Sequence, residues 1–203
     1  MHPAAFLHDL APADLPEPVR ARARLLLLDL LGVAAAGSAT ALSRIVRAHA
    51  AAQFGAGARA AGMLMDGRRV SPAGAALAGG MTIDALDAHD GHRAAKGHAG
   101  CGALPAALAM AEATGRADGA ELLAALVLGY EIGTRAGIAL HRRAVDYHTA
   151  GAWVAIAAAG IGARALGLGT EATRHALGIA EYHGPRSQMM RCIDHPTMLK
   201  DGS

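Results

Sequence analysis

Residues 71–110 read S-P-A-G-A-A-L-A-G-G-M-T-I-D-A-L-D-A-H-D-G-H-R-A-A-K-G-H-A-G-C-G-A-L-P-A-A-L-A-M. Two apolar runs of small residues flank a window, Asp84 to Cys101, that holds Asp84, Asp87, Asp90, His89, His92, His98, Arg93 and Lys96. Ser71-Pro72 has the chemistry of a helix start, with a hydroxyl to cap and a proline for the first turn, and predicts a helix to about Leu86. A second helix is expected over Leu104 to Thr114. Apolar residues make up 53% of the 203-residue chain but aromatic ones only 3%, so the core must be built from Ala, Leu, Val, Ile and Met. That composition predicts an all-α fold with closely approaching helices; a β-sandwich would need more β-branched and aromatic residues.

Working outward, the lead-in before Asp14 is polar, and Asp14-Leu15-Pro16-Glu17-Pro18 reads as a helix start with acids at the positive dipole end. The helix it opens, Pro18 to about Ala36, carries Leu25 to Leu28, Leu30 and Leu31 and is apolar nearly all round, which predicts burial on several sides. A second helix is expected from Thr40 to Phe54. Gly55 to Val70 contains Asp66-Gly67 in a turn context and predicts one small β-hairpin near 58–70, with Met63 and Met65 as surface cover. Beyond the polar window, helices are expected over Gly119 to His141, Gly151 to Leu166 and Thr170 to Tyr182, followed by an irregular end. No repeat, linker or internal domain boundary is visible, so residues 1–203 read as one domain.

The balance of 19 Lys and Arg against 17 Asp and Glu gives a formal charge of only +2, without a basic run or interleaved aromatics. Nucleic-acid binding is not expected. Cys101 and Cys192 are far apart and have no metal spacing, as for reduced thiols of a cytoplasmic protein. The first residues lack the basic region of a secretory signal, and the apolar run Gly151–Gly162 is too short to span a bilayer, so no membrane partner is expected.

The polar window leaves three readings open. It could be a solvated loop after an acidic helix end. It could hold a divalent metal through Asp87, Asp90, His92 and His98, whose donor types suit a transition ion although no recognised spacing is present. Or it could be a metal-free acid/base and anion-binding site, in which a carboxylate orients a histidine and cations hold an acidic substrate. If the preceding helix persists, Asp87 and Asp90 share one face and His89 and His92 a neighbouring one, while the Lys96-Gly97 hinge lets His98 fold back. Similar chemistry recurs at Asp146-Tyr147-His148-Thr149, before an Ala-rich helix whose free amides favour an anion. It recurs again near the end, at Arg186, Arg191, His195 and Lys200.

Four stretches, in order along the chain, carry a resemblance: L-L-L-L-D-L-L-G-V-A-A-A-G; A-L-A-G-G-M-T-I-D-A-L-D-A-H-D-G-H with G-H-A-G-C-G-A-L-P-A-A-L-A-M-A-E; L-V-L-G-Y-E-I-G-T-R; and D-Y-H-T-A-G-A-W with A-L-G-L. The closing H-P-T-M-L-K-D-G-S is similar to the same family's lysine segment. The sequence resembles the MmgE/PrpD family, which includes 2-methylcitrate dehydratase, cis-aconitate decarboxylase and iminodisuccinate epimerase. The resemblance implies a large helical domain plus a smaller α+β lid, a homodimer, and no metal or other cofactor. It also implies that this chain is the N-terminal helical part, without the lid and the closing C-terminal helices, so that apolar helix surface is left exposed.

Carried over position by position, the resemblance implies catalytic roles for Asp87, His98, His148 and Lys200; the neighbouring His89, Asp90 and His92, with Arg186, are expected to contact substrate. Where the family has D-F-D-D-T this chain has D-A-H-D-G: His89 stands for an Asp and Gly91 for a Thr, which removes a hydroxyl that the dehydratase and decarboxylase specificities would use. The D-Y-H-T and lysine-segment wording is closer to the epimerase-like branch. The function implied is dehydration, decarboxylation or epimerisation of a small di- or tricarboxylate. Two alternatives stand beside it: a catalytically inactive helical dimerisation module, and a metal-dependent hydrolase.

Overall fold

The small-residue runs form helices that cross closely enough to bury their backbones. In the computed structural model, which describes residues 3–116 and 118–190, the order is α1 (Pro3–Asp9), α2 (Glu17–Gly37), α3 (Ala41–Gln53), β1 (Ala61–Gly62), β2 (Arg69–Val70), α4 (Pro72–Asp84), α5 (Gly100–Thr114), α6 (Gly119–Arg143), α7 (Gly151–Ala165) and α8 (Thr170–His183). The fold is all-α apart from one two-stranded antiparallel hairpin pairing Ala61 with Val70, as the composition predicts.

Helix starts follow local chemistry. Thr40 accepts the Ser43 amide at 3.2 Å, Ser71 accepts the Gly74 amide at 3.3 Å, and Asp118 accepts the Ala120 amide at 3.0 Å. Each satisfies one donor that the first turn leaves free, worth about 1 kcal/mol apiece.

Helix α5 lies at the centre, packed on α4, α6 and α7, with α2 crossing α4 and α6. The main core joins Leu30, Ala34, Ile83, Leu104, Leu126 and Ile161. A second cluster, beneath the hairpin, includes Ala50, Met63, Val70 and Ala78. A third, Ala95, Ala99, Ala150, Trp153 and Val154, seats the polar window on the start of α7. Close approach is literal here: a Cβ on Gly137 would meet the Trp153 ring at 2.9 Å. By length and apolar content α6 is the one described helix that could cross a membrane. Those are also the properties of a core helix, and α6 packs along α5 and α7.

Several expectations need correction. The polar lead-in contains α1, whose Ala4 and Leu7 are buried. Arg164 clamps it by donating to the carbonyls of Leu7 and Leu10 while ion-paired with Glu121 at 2.6 Å. Helix α5 starts at Gly100 rather than Leu104, so Pro105 sits inside it. Met63 is not surface cover: it is 2% exposed under the hairpin, and only Met65 faces outward. The left-handed turn residue of the hairpin is Met65, at φ 56°, rather than Gly67. Large apolar side chains are exposed on two helices, with Leu25 and Leu28 on α2 59% and 68% exposed and Tyr182 on α8 77%.

Candidate active site

Helix α4 ends at Asp84, and the chain then turns through Asp87 at φ 50°. The helix does not persist, so Asp87 and Asp90 share no face. Asp87 remains exposed and its Oδ1 stands 3.4 Å from His98 Nε2. His98 folds back as the hinge allows, through a tight turn in which the His92 amide donates to the Gly97 carbonyl at 2.8 Å and Lys96 takes φ 54°. Its Nδ1 contacts the Asp90 carbonyl. A carbonyl only accepts, so Nδ1 carries the proton, and in the neutral ring the Nε2 lone pair faces the Asp87 carboxylate.

Asp90, expected to contact substrate, is turned inward. Its Oδ2 accepts the amides of Ala99 and Gly100, each at 3.3 Å, and so supplies a negative charge at the start of α5. The buried Oδ1 and the Tyr130 hydroxyl converge on the same point beside Gly100. Burial, then the Asp90 charge, push the Tyr130 phenol far above its ordinary range.

His89, also expected to contact substrate, is buried, with its ring 4.2 Å from that of His98 and its Nε2 3.5 Å from Asp84 Oδ1. Burial and the neighbouring His98 hold His89 below the usual imidazole value, against the opposing pull of Asp84, Asp90 and Asp87. His92 is exposed and its Nδ1 accepts the Ala95 amide at 3.1 Å, which shapes the turn. Neither His92 nor Asp90 joins the ligating atoms that gather here, so the four-residue metal set anticipated in the sequence is not assembled. Asp87, His89 and His98 are: each offers one ligating atom, all within 4.8 Å of one another.

The segment before α7 lies against this loop. The Lys96 ammonium sits 5.4 Å over the Tyr147 ring, and a Cβ on Gly97 would touch Ala150 and Trp153. His148 is half-buried. Its Nδ1 lies 2.9 Å from the Asp146 carbonyl, which leaves Nε2 as the nitrogen for other work, and its amide donates to His141 Nε2 at 3.2 Å. Residues 187–189 pair with 147–149, and the Gln188 side-chain Nε2 donates to Asp146 Oδ2 at 3.0 Å. The first turn of α7 has no side-chain cap.

Arg186 is exposed and pairs with Glu181 at the end of α8. Lys200, with Arg191 and His195, lies outside the described residues. A cleft between α5, α6 and α7, lined by Met110, Leu122 and Arg164, lies apart from this cluster.

Three participants were not anticipated. Asp84 was visible in the window but not paired with His89. Tyr130 lies within an expected helix, where spacing alone cannot show where a hydroxyl ends. His141 looked like part of a helix end.

A family model described as the MmgE/PrpD N-terminal domain matches residues 2–198. The chain belongs to the MmgE/PrpD family. Among curated MmgE/PrpD relatives, the cis-aconitate decarboxylase-like protein oryM of Aspergillus oryzae is 32% identical over 216 aligned residues, covering 97% of this chain and 44% of the relative. The cis-aconitate decarboxylase of Aspergillus terreus is 29% identical over 180 residues, covering 85% and 36%. This MmgE/PrpD chain thus spans less than half the length of the curated relatives it matches. Both carry decarboxylase names, the specificity that Gly91 had counted against on sequence grounds.

Proposed function

We propose that this chain is the helical part of an enzyme that acts on a small di- or tricarboxylate, moving a proton next to a carboxylate by side-chain acid/base chemistry. The observation that carries the reading is the Asp87–His98 pair: a carboxylate and an imidazole nitrogen facing across 3.4 Å, with the other ring nitrogen held by the Asp90 carbonyl. Such a pair can take up and release one proton at a fixed place, and catalytic contacts of this length tighten into hydrogen bonds when substrate binds. His98 is the acid/base group and Asp87 orients it or shares its proton. His148 and Lys200 bind or protonate substrate carboxylates, assisted by Lys96 and the uncapped start of α7.

The decarboxylase names of the relatives make loss of carbon dioxide from cis-aconitate the first reaction to test, ahead of dehydration and epimerisation. Asp87→Ala and His98→Ala should each lower turnover by roughly 100-fold or more while the far-UV circular dichroism is unchanged. Turnover within about threefold of the parent in both variants would sink the assignment.

A second reading is favoured by the exposed apolar residues on α2 and α8, Leu25, Leu28, Ile179 and Tyr182. These suit a catalytically inactive helical module that associates with a second copy of itself. That module predicts a dimer by light scattering and no turnover of any polycarboxylate.

A further inference from the structure

The gap between Asp87, His89 and His98 suits a metal ion as well as it suits a proton. We propose that these three residues bind one divalent transition-metal ion of the zinc class, and that the bound ion blocks the proton handling by Asp87 and His98. The blocking rests on the function proposed above; the site itself does not.

Two imidazoles and one carboxylate are the donors that borderline ions such as zinc select, and they are poor donors for magnesium or calcium. The spacing is close to what such an ion requires. Zinc–ligand bonds of about 2.0–2.1 Å in a tetrahedron put ligand atoms about 3.3–3.4 Å apart. Asp87 Oδ1 and His98 Nε2 already stand at 3.4 Å. The third atom, from His89, lies within 4.8 Å of both.

His89 supplies the independent observation. Its side chain is 0% exposed, yet neither ring nitrogen makes a hydrogen bond among the described residues, the Asp84 carboxylate standing off from Nε2 at 3.5 Å. Burying an unpaired imidazole is unfavourable, and coordination would satisfy it. The surroundings are those of ligating histidines, whose second nitrogen is held by a carboxylate or a carbonyl. Asp84 Oδ1 lies 3.5 Å from His89 Nε2, and the Asp90 carbonyl holds His98 Nδ1. With those nitrogens protonated, each ring keeps a lone pair on the other. Asp87 lies on the exposed side of the set, from which an ion can enter. Once the ion occupies the His98 Nε2 lone pair and the Asp87 oxygen, neither can exchange a proton with substrate.

The test uses the purified chain, stripped with a chelator and titrated with Zn2+ against a chromophoric competitor, and with Co2+ for its visible spectrum. The expected result is one ion per chain and tetrahedral Co2+ bands. Asp87→Asn and His89→Gln should each weaken binding by roughly 10-fold or more, while His92→Gln, outside the set, stays within about twofold. Asp87 is exposed, so its variant serves even if the His89 variant does not fold. Absence of saturable binding, or equal weakening by His92→Gln and Asp87→Asn, overturns the site. Where turnover is measurable, equimolar Zn2+ should suppress it and excess chelator restore it; one bound ion with turnover intact overturns the blocking. Lack of any turnover counts against the proposed function alone, because the titration still decides the site.

Discussion

Replacing Asp90 by Ala should destabilise the chain far more than loss of one surface carboxylate. The Asp90 Oδ2 accepts two amides at the start of α5, each at 3.3 Å. Loss of such a cap costs about 1 kcal/mol, and loss of the charge at the positive end of the helix dipole about 0.3–1 kcal/mol. The buried Tyr130 hydroxyl, which interacts with the Asp90 carboxylate and has no other partner among the described residues, is then left unpaired, at a further cost of about 1–3 kcal/mol. The expected total is about 2–4 kcal/mol, after allowing for partial relaxation. Urea unfolding followed by circular dichroism reads it directly, as a lower midpoint at unchanged slope. Asp90→Asn, which keeps one acceptor, should lose less. The double variant Asp90→Ala with Tyr130→Phe should lose less than the sum of the singles by about 1 kcal/mol, because the two groups are coupled. A loss below about 0.5 kcal/mol for Asp90→Ala, or strict additivity in the cycle, would refute the assignment of Asp90 to α5 and return it to the substrate side.

Two further outcomes follow from the same geometry. Because folding holds His89 below its usual pKa, the unfolded chain binds more protons between that lowered value and about 6.5, so stability should fall as the pH drops below about 7. Asp84, Asp87, Asp90 and His98 surround the ring, and His89→Gln should flatten the slope by up to about 1.4 kcal/mol per pH unit; urea midpoints whose pH dependence is identical with and without His89 would contradict this. Gly137→Ala should cost about 1–3 kcal/mol by forcing α6 off Trp153, where a Cβ would stand 2.9 Å from the ring, and a thermal midpoint unchanged by the substitution would show that the contact gives way freely.

Most of the helices were legible because their apolar runs are long and their ends carry Ser, Thr, Asp, Gly or Pro at the capping positions. Helix α1 was not, since seven residues hold too few periods and its stability comes from Arg164, more than 150 positions away. The α5 start was displaced because its cap is Asp90, ten residues upstream of Gly100 and outside any local pattern. In the site, the pairing of Asp87 with His98 could be guessed from the hinge between them. The separate fates of His89 and His92 could not: three-residue spacing implies a common face only while a helix lasts, and this one stops at Asp84. Met63 was misread for a related reason, as alternation in a hairpin says that one side is covered without saying which.

The central claim is that Asp87, His98 and His148 manage a proton beside a substrate carboxylate. Proton NMR in deuterated water, with cis-aconitate, 2-methylcitrate and a source of iminodisuccinate offered in turn, tests it most directly. The proposed chemistry predicts loss of carbon dioxide, loss of water or α-deuterium exchange with one of the three, and its abolition in His98→Asn. Unchanged spectra with all three substrates, or the same turnover without His98, would contradict it.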